Sequence, residues 1–467
     1  MKNLWKIYEP EERLRKVLSG ELGVTPVLAQ LLVNRGIRTP AAASDFLFGE
    51  LDACHDPFLM KDMDKAVRRV REALDKGQKI LVYGDYDVDG VTSTALMKDA
   101  LTRLGGKVET FIPNRLEEGY GLNIRAVAKA REDGVQLIIT VDCGINSVDE
   151  VACAGEHGID VVITDHHEVK SGQLPPACAA VDPHRPDCSY PFTFLAGVGV
   201  AYKLAEALFG NRRKDVGQYL DLVALGTIAD VAPLVGENRI LSKAGLRLLR
   251  RAGRPGLKAL MEVARVDPEK LKCRHVGFVL GPRINAMGRT GSADVALELM
   301  LCRDAAEAAA LAGQLDAENR NRRNIEKDIL KEAMSLASAV KDDDKVIVLA
   351  GQGWHPGVVG IVSSRITEEF SKPSVLIALD GDKGKGSGRS PDGFDLFGAV
   401  SAAGDTLIDF GGHEAACGVR IDASRVDDFR RELNREAGRF FHESEPGVPE
   451  LVIDMDIPFA RVGLKLI

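Results

Sequence analysis

The sequence predicts an α/β fold: a parallel-sheet domain carrying most of the chain, then a long helix, then a smaller α/β domain. Three observations carry this reading. Between about residues 62 and 168, short apolar runs alternate with amphipathic helical stretches, which is the pattern of βαβ units and a parallel sheet. Residues 303–340 form one long helical pattern rich in Ala, Glu, Lys, Arg and Asn, with little Gly or Pro. From KVIVLAG at 345–351 the strand–helix alternation restarts.

The elements follow in order. Residues 1–55 predict short helices and turns (EERLRKVLSGELG, TPVLAQLLVNRG, TPAAASDFLFG). MDKAVRRVREALDKG is an amphipathic helix, KILVYGD a buried strand, VTSTALMKDALTRLG a helix and KVETFIP a strand. NIRAVAKAREDG is a helix, QLIITVD a strand, VDEVACAGEHG a helix and DVVITDH a strand. Residues 195–300 read as mostly helical, and 303–340 as a solvated helix connecting two domains. Beyond it VVGIVSSRITEEF is a helix, SVLIALD a strand, GDKGKGSGRSPDG a Gly-rich loop, and 424–442 a helix. LVIDMDIPF then opens a further segment.

Composition bounds the function. At 467 residues two or three domains are expected. With 45% hydrophobic and 28% charged residues the chain is globular, neither disordered nor fibrous. A net charge of −8 argues against binding polyanions over the whole surface; nucleic-acid contact would need a local basic groove or metal ions. The eight cysteines (54, 143, 153, 178, 188, 273, 302 and 417) contain no C-x-x-C pair, which fits reduced thiols rather than a disulfide framework or zinc module. The N-terminal MKNLWKIYEPEERLRKVL lacks a signal-peptide core, and no apolar run approaches a membrane span. A cytoplasmic protein without membrane contact is the expectation.

Three predicted strands end in groups that ionise or bind metal: KILVYGDYDVDG (80–90), QLIITVDCG (136–144) and DVVITDHHE (160–168). In an open parallel sheet the carboxyl ends share one edge, where ligands bind. Asp85, Asp87 and Asp89 are spaced by two, so an extended segment would point them to one side. Asp142 and Asp165 would bring further carboxylates within a few ångströms. Like charges that close raise each other's pKa, and divalent cations remove the conflict. Carboxylates with imidazole suit Mn²⁺, with Mg²⁺ or Co²⁺ as substitutes. His166 and His167 are neighbours whose side chains diverge in an extended backbone, so one is expected as a ligand and the other either behind the ligands or beside the substrate. Asp230 in GTIADVAPL is a further candidate. A lone Asp after a strand is ordinarily a turn residue or helix N-cap. Three such ends in one βαβ series, one of them D-x-D-x-D-G, favour a metal site.

DYDVDG, VDCG, TDHH and the Asp of IADVAPL together resemble the four motifs of the DHH phosphoesterase superfamily, in its single-strand-specific exonuclease branch. The similarity runs from roughly residue 50 to 442. The resemblance implies an N-terminal helical segment (1–55), a DHH catalytic domain (56–302), a connecting helix (303–340), a DHHA1 substrate-binding domain (341–443) and the start of an OB-fold (444–467). It implies two-metal hydrolysis, with Asp87 and Asp142 at one Mn²⁺, and Asp89, Asp142, His166 and Asp230 at the other. Asp85 would support the first ion, and His167 would lie near the scissile phosphate.

Three polar clusters could hold phosphates: IPNR with Arg115; GPRINAMGRTG with Arg283, Asn285 and Arg289; and GKGSGRSPDG with Ser387, Arg389, Ser390 and amides able to form an anion nest. FGGHEAACG adds His413, where the glycines alone would mean only a tight turn. The resemblance assigns Arg115, Ser387 and Arg389 to a 5′ phosphate, with Arg283 and His413 near the backbone. It implies a 5′→3′ exonuclease on single-stranded DNA, preferably 5′-phosphorylated, giving nucleoside 5′-monophosphates in repair and recombination. A RecQ-type helicase and a single-strand-binding protein are the partners such an enzyme would meet. The alternatives are a phosphodiesterase for short oligoribonucleotides or cyclic dinucleotides, and a non-enzymatic nucleic-acid-binding scaffold of the same fold. Aromatic residues are only 5% of the chain, so no long stacking platform is evident; Trp354, Phe394 and Phe397 are as readily core.

Overall fold

A computed structural model describes residues 4–115, 118–119, 121–170, 172–340, 343–440, 450–459 and 463. The chain divides into two units, Asp45–Arg320, and Met1–Ser44 taken with Asn321–Ile467. It begins with a short strand, β1 (Leu4–Ile7), where only helices and turns were expected. Four residues, LWKI, are too few to show a period, and only a distant partner makes them a strand. Helices Glu12–Leu22, Pro26–Asn34 and Pro40–Phe48 follow. Thr25 accepts a hydrogen bond from the Leu28 amide (3.2 Å) and so caps the second of these, with Pro26 at the first position, where no N–H is needed.

The unit Asp45–Arg320 is built on β2 (Lys79–Tyr83), β3 (Lys107–Phe111), β4 (Leu137–Val141), β5 (Asp160–Thr164) and β6 (Ala179–Val181). All neighbours run parallel, in the order β3-β2-β4-β5-β6. Alternate residues of each strand enter different cores, as a two-residue period dictates. Ile80, Val82, Leu137, Ile139 and Val162 pack with helices Met63–Asp75, Val88–Arg103 and Gly197–Phe209. Leu81, Tyr83, Ile138, Val161 and Ile163 pack with helices Ile124–Glu132 and Val148–Glu156. Burial on both faces explains why these strands read as unbroken apolar runs. The sheet edge carrying every strand's carboxyl end is therefore fixed by two cores.

Residues 195–300 are mostly helical, as expected, with a wide π turn at Val276–Leu280 ahead of helix Gly281–Thr290. Helix Ala305–Ala337 covers the long helical pattern, but it is less solvated than the composition suggested. Ala308, Leu311, Ala312 and Leu315 are buried in the core of the unit Asp45–Arg320. An apolar stripe of small residues at helical spacing accounts for this.

In the other unit β7 (Ile347–Gln352), β8 (Ser374–Asp380), β9 (Lys383–Arg389), β10 (Asp409–His413) and β11 (Ala416–Asp422) form a mixed sheet, ordered β10-β11-β9-β8-β7. Only β7 and β8 are parallel. Ile329, Ala333 and Ala337 are buried there beside Ile347, Leu349 and Trp354. A last strand, β12 (Glu450–Ile453), pairs parallel with β1, Leu4 opposite Glu450. None of the eight cysteines is in a disulfide, and among the described residues no single helix is long and apolar enough to cross a membrane.

The Gly-rich stretch expected as a loop is β9. Its residues pair on one side with β8 and on the other with β11, so its amides serve the ladder and an anion nest built from them is ruled out. Gly384, Gly386 and Gly388 alternate along it, and a Cβ on each would lie 2.7 Å from Ile377 Cγ2, 2.6 Å from Val419 Cγ2 and 2.8 Å from Cys417 Sγ. These glycines let packed side chains approach the strand; they do not loosen a loop.

Candidate metal centre

The chain leaves β2 through Gly84-Asp85-Tyr86-Asp87 and enters helix Val88–Arg103 at once. Asp85, Asp87 and Asp89 are therefore not one extended row. Asp87 is the N-cap: its Oδ1 accepts the amides of Asp89 (2.9 Å) and Gly90 (3.1 Å). Asp89 lies in the first turn and is 1% exposed. Its Oδ2 and Oδ1 accept the amides of Gly197 (2.7 Å) and Val198 (2.9 Å), the start of helix Gly197–Phe209. The helix start favours a carboxylate there. Asp87 is thus both the cap that ordinary statistics favour and part of the cluster.

Asp142 follows β4 in the left-handed backbone region (φ +62°), a conformation that a non-glycine residue holds only when its surroundings enforce it. Its amide donates to Thr164 O (3.0 Å), and the space beside its carboxylate exists because residue 197 is glycine. A Cβ on Gly197 would lie 2.5 Å from Asp142 Oδ1, and one on Gly226 would lie 2.8 Å from Asp89 Oδ1. His166 Nε2 reaches Asp142 Oδ1 at 3.0 Å and stands 3.8 Å from Asp89 Oδ2.

Asp165 does not join the ligand clusters, although its strand end resembles the others. Its Oδ2 accepts the Ile145 amide (2.9 Å), and its Oδ1 accepts the amides of His166 (2.7 Å) and His167 (3.2 Å) and His167 Nδ1 (2.7 Å). It anchors the loop and fixes His167 through Nδ1. His184 Nδ1 donates to His166 O (2.6 Å) and holds the same backbone from the other side.

Three overlapping groups place ligand atoms within 4.8 Å of one another: Asp85, Asp87 and Asp142; Asp89, His166 and Asp230; and Asp142, His166 and His167. The electrostatics match a cation site. Burial first, then Asp87, holds Asp85 well above the ordinary carboxylate range. Burial, then Asp230 and Asp87, does the same to Asp89; burial, then Asp89, Asp87 and Asp85, to Asp142. Asp230, whose outer face meets solvent, is pushed up to about 7 by desolvation and the Asp87 charge. His166 is lowered to about 4 by burial and by His167, so it is a neutral imidazole suited to ligation. Burial opposes the charge on His167, but the bond from Asp165 prevails and raises it to about 9. Burial likewise opposes ionisation of Asp165, yet the His167 and backbone donors bring it below its usual value.

Asp85 Oδ1 is buried without a hydrogen-bond partner among the described residues. An orphaned carboxylate oxygen, crowded acidic neighbours and a neutral imidazole together fit divalent cations bound through oxygen and nitrogen.

The comparisons with known proteins agree. Residues 79–227 match the DHH family, N-terminal domain, and residues 343–439 match the DHHA1 domain. The single-stranded-DNA-specific exonuclease RecJ of Bacillus subtilis is 43% identical over 453 residues, 97% of this chain and 57% of that protein. The single-stranded-DNA-specific exonuclease RecJ of Dickeya dadantii is 41% identical over 443 residues, 90% of this chain and 76% of its own length. The chain belongs to the RecJ family. A crystal structure of RecJ in complex with Mn²⁺ from Thermus thermophilus matches with a TM-score of 0.82 at 34% identity, over 97% of this chain and 65% of that one. This RecJ-family chain thus spans little more than half the Bacillus relative and just under two thirds of the Thermus chain.

The expected phosphate-binding residues fall into different settings. Arg115 follows β3 and holds its guanidinium 5.2 Å from the Tyr86 ring centroid, near enough for its charge to favour ionised Asp85. It lines a cavity of about 260 Å³ with Asn114, Gly288, Gly291 and Ser292. Arg283 and Asn285 are engaged by the protein itself. Arg283 Nε donates to Asp316 Oδ1 (3.0 Å) and its Nη1 to Val279 O (2.6 Å), in a largely buried site. Asn285 Oδ1 accepts the Val88 amide (3.1 Å), an orphan donor of the helix start that Asp87 caps. In the helix that this motif forms, Arg283 Nε and Nη1 and Asn285 Oδ1 are bonded to the protein itself.

In the other unit Arg389 Nη1 donates to Ser387 Oγ (2.9 Å) and Gly388 O (2.7 Å). A Cβ on Gly360, in the first turn of helix Val359–Phe370, would lie 2.9 Å from Ser387 Oγ. His413 is exposed and registers with Ala416, which registers with Arg389, so the three share one end of the sheet. Sequence reasoning missed Asp182 and His184. Asp182 is a fourth acidic strand end, after β6; its Oδ1 accepts the His184 amide (2.7 Å), and burial and Asp165 push it up to about 8. The run AAV before it was too short to register as a strand.

Proposed function

We propose that this chain is a metal-dependent exonuclease that hydrolyses single-stranded DNA in the 5′→3′ direction and releases nucleoside 5′-monophosphates. The observation that carries it is the overlap of three ligand groups around Asp142 and His166 at the strand ends. Two Mn²⁺ ions, with Mg²⁺ or Co²⁺ as substitutes, would supply Lewis acidity and a nucleophile at neutral pH. Asp87 and Asp142 would hold one, and Asp89, Asp142, His166 and Asp230 the other, with Asp142 shared. Asp85 supports the first position through its unengaged oxygen.

The chain's own groups then act on the substrate. His167, fixed through Nδ1 by Asp165, would lie near the scissile phosphate, and the Asp165 hydrogen bond raises its pKa against the effect of burial. Arg115, Ser387 and Arg389 bind the 5′ phosphate, and His413 a backbone phosphate. The family resemblance implies a terminal-phosphate pocket that a continuing strand could not enter, which would make the reaction exonucleolytic. The family reading adds a cytoplasmic role in DNA repair and recombination, alongside a RecQ-type helicase and a single-strand-binding protein. It also supports a DHH catalytic domain at 56–302 and a DHHA1 domain at 341–443, flanking the helix.

The test digests single strands bearing 5′-phosphate, 5′-hydroxyl or blocked ends, labelled at either end, with Mn²⁺ or with chelator. Release of the 5′ label first, preference for the 5′-phosphate and silence in chelator are expected. Release of the 3′ label first, or indifference to chelator, would overturn the reading.

A further inference from the structure

The segment KLKCRHVGFVLGPRINAMG (270–288) carries a feature that the metal chemistry leaves unexplained. Its centre, Val276–Leu280, is a π turn, an irregularity concentrated at functional sites. A Cβ on Gly277 would lie 3.8 Å from Ile228 O; one on Gly281 would lie 3.2 Å from Ala229 Cβ and 3.8 Å from Val88 Cγ2. Ile228 and Ala229 immediately precede Asp230, and Val88 stands between Asp87 and Asp89. The turn thus packs against residues that adjoin three carboxylates of the cluster.

Val276 and Leu280 are fully buried and anchor the turn, yet Phe278 between them is 80% exposed. Val231 follows Asp230 with φ +62° and is 84% exposed; its amide donates to the same Ile228 O that Gly277 faces (3.3 Å). A β-branched residue in that backbone region is strained, and an aromatic ring held in water forgoes its burial energy. Neither arrangement serves the core. Four residues before Phe278, on the same helical face, Arg274 is exposed and has no ion-pair partner among the described residues. In a chain of net charge −8, an unpaired cation beside an exposed ring is the local pairing that a single nucleic-acid strand requires.

We propose that Phe278 stacks against a base of the single-stranded DNA at the metal centre, while Arg274 contacts a backbone phosphate of the same strand. This rests on the substrate class proposed above. The faces of duplex bases are covered by their neighbours, so a platform of this kind favours unpaired strands. It is sequence-tolerant, since every base has a π face.

The test measures equilibrium binding of labelled 5′-phosphorylated oligo(dT), and of a strand of abasic residues, to the full chain with Ca²⁺ in place of Mn²⁺. Phe278→Ala should weaken oligo(dT) binding about tenfold and leave the abasic strand unchanged, with Phe278→Trp restoring affinity. Arg274→Gln should weaken both strands alike and lower the salt dependence by about one counterion. Under Mn²⁺, Phe278→Ala should raise KM with kcat unchanged. Equal loss on both strands, or unchanged oligo(dT) affinity, would overturn the stacking role. Absence of hydrolysis with base-dependent binding intact would instead sink only the exonuclease reading.

Discussion

The strand ends of β2, β4 and β5 and the β9–β11 sheet build polar sites in opposite ways. At the strand ends the side chains leave the sheet. Loops and helix ends gather five carboxylates and two imidazoles, with glycines at 197 and 226 making room for the carboxylates. On β9–β11 the side chains stay on the strands, and the glycines alternate with them to let the core approach from the opposite face. The first region accumulates like charge at the cost of stability and needs a cation. The second displays Ser387, Arg389 and His413 on a satisfied ladder and needs none. A glycine therefore means something different in each: room for a carboxylate in one, room for a hydrophobic side chain in the other.

The sharpest way to break that comparison is Asp142→Ala. Hydrolysis in Mn²⁺ should fall on the order of a thousandfold or more, since a shared ligand is worth several kcal/mol in the transition state. The melting temperature in chelator should hold or rise, because one buried charge is gone; an active variant would refute the assignment.

The paired glycines come next. Gly197→Ala should lower Mn²⁺ affinity by about 10–100-fold by displacing Asp142 and the amides that hold Asp89. Gly388→Ala should leave Mn²⁺ affinity alone and cost about 1–3 kcal/mol of stability through overpacking against Cys417. Calorimetric titration and thermal melts on both variants distinguish the two; loss of metal binding in Gly388→Ala would erase the contrast. A smaller effect is expected from Ser387→Ala, about fivefold weaker binding of a 5′-phosphorylated strand with no change for a 5′-hydroxyl strand, from one lost hydrogen bond.

The last effect is on pH dependence. Asp230 has its folded pKa raised from an ordinary 3.8 to about 7, so the folded state binds its proton more tightly than the unfolded chain. Stability is therefore lost as pH climbs from about 4 to about 7, and the loss levels off above that. In chelator, Asp230→Asn should melt higher than the parent by a margin that widens across this window. Mn²⁺ should close the gap, and a margin independent of pH would contradict the crowding.

Much of the site was legible because its ingredients are local. An apolar run followed by Asp marks a strand end, and three of them in one βαβ series place their carboxylates on one edge. Asp85, Asp87, Asp89, Asp142, His166, His167 and Asp230 all meet there. Elsewhere the partner decides the role. Asp165 looks like Asp142 in sequence, yet three donors from its own loop and one from the loop after β4 make it an anchor. Arg283 and Asn285 carry phosphate-binding chemistry, but Asp316 and the Val88 amide take it up. The alternation in KGKGSGR was a two-residue period hidden by the turn-forming reputation of glycine.

Sequence alone determined the α/β class, the parallel sheet, the long helix and the identity of the acidic cluster, because periodicity and strand-end chemistry act over a few residues. Tertiary structure decided which carboxylates cluster and which is braced by hydrogen bonds, that β1 pairs with β12 over more than four hundred residues of chain, and that Phe278 stands in water. Those outcomes depend on which groups arrive from distant elements to share hydrogen bonds and space, and no local pattern encodes that.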